Sequence, residues 1–164
     1  MNLNGLTSGG KDRMAKPSRM AKKRPEMAFP EAGTVRSEYG AHRYRLTIPG
    51  RLPGLNEIIH EGNRHWAKGA SLKKTETQRC MEYILLYRIP VFTRPITVNF
   101  KWIEPNKRRD RDNIQSGQKF FLDALVEMGK IPNDGPKWVV GTSHEFPEPD
   151  LENPRIEIEI LEFR

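Results

Sequence analysis

From Ile96 to Trp102 every second side chain is apolar, with Thr97, Asn99 and Lys101 between Ile96, Val98, Phe100 and Trp102. Successive side chains of a strand point to opposite faces, so this alternation means one buried face and one wet face. Tyr44, Leu46 and Ile48 repeat the pattern between Arg43 and Pro49, and Ile156, Ile158 and Ile160 repeat it between glutamates. A chain with three such segments has to build a sheet and cover one side of it.

The cover is legible as well. Thr77, Cys80, Met81, Ile84 and Leu85 recur at helical spacing opposite Lys74, Gln78 and Glu82, which predicts an amphipathic helix from about Ala70 to Tyr87. Asn113 to Met128 reads as a second helix. Its apolar face is Ile114, Phe121, Leu125 and Met128, Gly117 allows close packing, and Gly129 is the expected C-cap. Pro-Gly-Arg-Leu-Pro-Gly at 49–54 breaks the first strand, and Trp138 to Phe146 is a further candidate strand. The expected fold class is α+β, a small mixed sheet covered by helices in the order strand, helix, strand, helix, strand, strand.

The first forty residues do not share this patterning. Residues 1–40 are rich in Gly, Pro, Ser and Lys/Arg without apolar periodicity, so they read as a flexible, disordered basic tail ahead of a single domain at 41–164. Met1 to Pro25 holds seven basic residues against Asp12 alone, so most of the formal charge of +7 lies in the tail. The folded part is polarised locally: six basic residues lie between Lys101 and Lys119, and seven acidic ones between Glu145 and Glu162.

Cys80 is the only cysteine, which excludes an intramolecular disulfide and a cysteine-rich zinc site and suits a reducing cytoplasm. No apolar run approaches a membrane span, so no membrane partner is expected. His42, His60, His65 and His144 show no metal-ligand spacing, and Trp66, Trp102 and Trp138 read as core anchors.

The chemistry concentrates between a strand end and a helix start, in Asn106-Lys107-Arg108-Arg109-Asp110-Arg111-Asp112-Asn113. Asp110 and Asp112 are placed to share one hard cation, and Lys107, Arg108, Arg109 and Arg111 suit a phosphate-bearing substrate beside it. Two bland readings compete: Asp112 as a helix N-cap, and arginines and aspartates that simply pair with one another. On a continuous helix Asp112, Ser116, Lys119 and Asp123 would share a polar face. Asp134 lies in an Asn-Asp-Gly turn, which alone is ordinary turn chemistry.

Taken together, Arg109-Asp110-Arg111-Asp112-Asn113, Lys119, Asp123-Ala124-Leu125 and Asn133-Asp134 resemble the core signature of the RusA family of Holliday junction resolvases. Pro53-Gly54-Leu55-Asn56 resembles that family's early element, and the likeness runs from about Arg43 to the C-terminus. The resemblance implies a homodimer that cuts symmetry-related strands of branched DNA, the four-way junction, with magnesium or manganese in its place. It implies that Asp110, Asp112 and Asp134 are the metal-binding aspartates, that Lys119 is the essential lysine, and that Asn56 lies at the DNA. Asn133 stands where the family often has another acid. Shorter versions of the pattern place the lysine where Ser116 stands here, so the regular helix is expected to begin near Ser116 to Gln118, bringing Lys119 to the site. A non-catalytic DNA-binding module and a nucleotide-sugar glycosyltransferase with an Asp-x-Asp metal site are the other readings.

Overall fold

The isoleucine strand Arg155–Glu162 lies at the centre of the sheet. The computed structural model describes residues 35–36, 42–64 and 66–163, with 35–36, 64 and 66–68 described by backbone alone. The elements are β1 (Val35–Arg36), β2 (His42–Pro49), α1 (Leu55–Arg64), α2 (Trp66–Leu86), β3 (Ile96–Ile103), α3 (Arg111–Gln115), α4 (Gln118–Glu127), β4 (Val139–Glu145) and β5 (Arg155–Glu162). The sheet order is β1-β2-β5-β3-β4. Its pairings are antiparallel except β3 with β4, which is parallel, so the sheet is mixed and the fold is α+β.

Register explains why alternation reads so clearly. Each β5 isoleucine sits between two apolar partners: Ile156 between Ile48 and Trp102, Ile158 between Leu46 and Phe100, Ile160 between Tyr44 and Val98. Burying such a side chain contributes roughly 1.5–3 kcal/mol. On this face Cys80 and Ile84 of α2 and Phe121 and Leu125 of α4 complete the core, and the Phe121 ring meets Phe100 edge-on at 5.8 Å. The other face is polar, with Arg43 and Arg45 paired to Glu159, and Lys101 to Glu157. Trp102 is fully buried, and Trp138 is half-buried at the start of β4.

Three expectations need correction. A helix, α1, follows the Pro-Gly break where none was anticipated. The helix expected over 113–128 is two, because the chain turns at Ser116 and Gly117 before α4 begins at Gln118, as the displaced lysine required. Ser116 and Gly117 keep right-handed helical backbone, and the bonds Gly117 N–H to Ile114 O and Lys119 N–H to Ser116 O carry the chain from one helix to the next. Leu85, expected on the apolar face of α2, is 68% exposed. Gly129 does end α4 as expected: its φ is 63°, and the following Lys130 N–H closes onto Leu125 O at 2.8 Å. Within the expected tail, Val35–Arg36 pairs with β2; the rest of 1–40 lies outside the described residues, as does the side chain of Trp66. Among the described residues no helix is long and apolar enough to cross a membrane.

Candidate metal and phosphate site

β3 delivers the chain to the site. It ends at Ile103, and the next residue, Glu104, is a buried carboxylate that accepts both hydrogen bonds of the Arg109 Nη1 group at 3.2 and 3.1 Å. Arg109 is itself only 13% exposed, and its Nη2 lies 3.5 Å from Glu57 of α1. Glu57 in turn accepts the Gly54 N–H at 2.8 Å and pairs with Arg51, also at 2.8 Å. Burial raises the Glu57 carboxyl, but the Gly54 bond and the two arginines outweigh it and hold it below the usual carboxylate range. Arg109, read from sequence as a phosphate contact, is thus turned inward and clamps the 104–111 loop to α1.

The two halves of the signature meet here. The Asn56 N–H donates to Asn113 Oδ1 at 2.9 Å. Gly54 lies so close that a Cβ would fall 2.6 Å from the Asn113 carbonyl oxygen and collide with the Arg109 guanidinium. Only glycine fits at that approach. Gly117 is tight for a similar reason: a Cβ there would lie 3.1 Å from Leu52. Asn56 lines a cleft between α1 and α2 with His60, Ser71, Leu72 and Thr75.

The other loop cations divide. Lys107 pairs with Glu148 at 2.8 Å, and the Arg111 guanidinium stands 5.4 Å above the Phe146 ring. Arg108 is exposed and makes no ion pair among the described residues.

Asp110 occupies the N-cap position of α3 with extended backbone (φ −71°, ψ 149°), yet its side chain makes no capping hydrogen bond. Asp112 is inside the first turn and not at the N-cap, which the competing capping reading required. Asp110, Asp112 and Asp134 are exposed and form no ion pair among the described residues. The neighbouring Glu57, Glu104, Asp123 and Glu148 all have cations. In the turn at 133–135 it is Asn133 whose side chain does the turn's work, accepting the Gly135 N–H at 3.0 Å.

α4 presents Lys119, whose Nζ bonds Asp123 Oδ1 at 2.9 Å. That bond, opposed by partial burial and reinforced by the charges of Asp123 and Asp134, raises the Lys119 pKa. Asp134 is therefore near enough to act electrostatically on Lys119. Sequence reasoning missed Lys73 of α2, which reaches the other Asp123 oxygen at 3.0 Å. Burial pushes the Asp123 carboxyl up, but the two lysines outweigh it and hold it below the usual range.

Carboxylates such as these three are ligands of the kind a hard divalent cation takes. Among the described residues no group of three His, Cys, Asp or Glu side chains stands together so that it could hold a metal ion, so Asp110, Asp112 and Asp134 are not gathered into one cluster. No family model matches this chain, and no curated protein matches it.

Proposed function

We propose that the chain is a magnesium-dependent endodeoxyribonuclease that resolves four-way DNA junctions by paired nicks, acting as a homodimer in the cytoplasm. The observation that carries this reading is that Asp110, Asp112 and Asp134 are exposed and make no ion pair among the described residues, with the charge of Asp134 acting on Lys119. Aspartates kept for capping or ion pairing would be engaged; these are not. In this reading the three hold Mg2+, with Mn2+ as a substitute. The ion supplies activation of water and charge stabilisation for phosphodiester hydrolysis.

The chain's own groups do the rest. Lys119 meets the scissile phosphate as a fixed cation, because Asp123 holds its ammonium in place and keeps it charged. Arg108 is the loop cation with no internal partner among the described residues, so it is the leading candidate for a backbone phosphate contact. Lys107 and Arg111 reach phosphate by leaving Glu148 and Phe146, while Arg109 orients the loop. Asn56, fixed to Asn113 through its main chain, borders the DNA from the α1 side.

The glycosyltransferase reading requires a doubly wound parallel sheet, whereas only one pairing of this sheet is parallel. A binding module with no chemistry would bind a four-way junction and leave it uncut. Incubation with a synthetic four-way junction and a linear duplex, each with and without magnesium, tests the proposal: the junction is cut only with the ion and the duplex is spared. An uncut junction overturns it. Sedimentation should find a dimer, since paired cuts related by symmetry need two sites in fixed relation.

A further inference from the structure

We propose that Lys73 of α2 and Lys119 of α4 form a two-lysine clamp for a DNA backbone phosphate, held in register by the Asp123 carboxylate between them. The identity of the ligand rests on the nuclease reading above; the clamp itself rests on geometry. Asp123 is only 15% exposed and places one oxygen 2.9 Å from Lys119 Nζ and the other 3.0 Å from Lys73 Nζ. The two lysines are 61% and 54% exposed, so both ammonium groups open to solvent on the same carboxylate.

Two ammonium groups thus flank the one Asp123 carboxylate where α2 meets α4. Lys119 spends one of its three ammonium donors on Asp123 Oδ1, and Lys73 faces the other oxygen as an ion pair without a hydrogen bond, so donors remain on both for a bridging anion. Two long side chains are normally costly to order around a ligand. Here each is already ion-paired to one Asp123 oxygen, so a phosphate meets a prearranged pair. Lys73 lies outside the arginine-rich loop and extends the cationic surface from α4 onto α2.

The test uses the full chain without divalent ion and a short oligothymidylate as probe, with binding followed over a series of salt concentrations. Lys73→Met should weaken binding about tenfold, the loss of one charge-assisted hydrogen bond. The slope of log affinity against log salt should flatten by about one phosphate contact. Lys73→Arg should restore both. Asp123→Asn should keep the slope, because both charges remain, yet slow junction cutting because the pair loses its register. Lys73→Gln serves if the Met variant does not unfold at the wild-type temperature. Unchanged affinity and slope in a folded Lys73 variant that still cuts junctions would overturn the clamp and leave the nuclease reading standing. Lys73-dependent binding by a protein that cuts no junction would overturn the nuclease reading and leave the clamp. A wild type that does not bind the oligothymidylate overturns the clamp outright.

Discussion

The main-chain N–H of Asn56 donates to the Asn113 side chain at 2.9 Å, joining the start of α1 to the aspartate-bearing loop across a long stretch of sequence. This bond forms only because Gly54 lets the two backbones approach. A Cβ at that position would stand 2.6 Å from the Asn113 carbonyl oxygen. Gly54→Ala should therefore lower stability by about 1–3 kcal/mol and shift Asp110 and Asp112 enough to slow cutting by about a hundredfold. Chemical denaturation and single-turnover cleavage read the two effects. A variant with wild-type values in both would show that the approach is not needed.

Arg109 and Glu104 form an ion pair at 3.1 Å with side chains 13% and 9% exposed. Removing one partner leaves the other buried and unpaired, so Arg109→Leu should cost about 3–5 kcal/mol. Arg109→Lys should recover part of it, since one ammonium cannot reproduce the guanidinium's reach to both Glu104 and Glu57. If Arg109 were chiefly a phosphate contact, Arg109→Leu would instead lower DNA affinity and leave the unfolding midpoint unmoved.

The Ser116 hydroxyl donates to the Asn113 carbonyl at 2.7 Å. Ser116→Ala should cost about 1 kcal/mol of stability with cutting intact, whereas Lys119→Ala should slow cutting severely and spare folding. Full activity of Lys119→Ala in a junction assay would reduce that lysine to a surface partner of Asp123.

Much of the fold was legible because its signal is local. Strands with one buried face alternate whatever their neighbours are, and β2, β3 and β5 were found on that ground. α1 was missed because the Pro-Gly break before it and Gly62 and Asn63 within it read as loop. Leu55, Ile58 and Ile59, spaced as on one helical face, were the signal available. The break at Ser116 and Gly117 followed from where Lys119 had to be. The roles of Arg109, Glu57 and Lys73 were not legible, because each is decided by a partner brought near only by folding. A loop rich in arginine looks alike in sequence whether its cations face solvent or the protein.

His144 offers a pH test of packing near the site. Its Nδ1 accepts the Trp102 Nε1–H at 3.1 Å while its ring stacks on Phe100. Burial holds its pKa below the ordinary histidine value of 6.5. The unfolded chain therefore takes up the proton first. Stability should hold above about pH 6.5 and decline as pH falls from there to the lower folded value. Thermal unfolding over a pH series should show this decline in the wild type and a flatter profile in His144→Gln. Parallel profiles would exclude His144 as the titrating group.

The most direct measurement is a side-by-side assay of Asp110→Asn, Asp112→Asn and Asp134→Asn on a labelled four-way junction, with cutting scored in magnesium and binding without it. All three should lose cutting while binding at least as tightly as the wild type, since each removes a negative charge near phosphates together with a metal ligand. Retained cutting by any one of them would contradict the assignment of that aspartate, and retained cutting by all three would contradict the account as a whole.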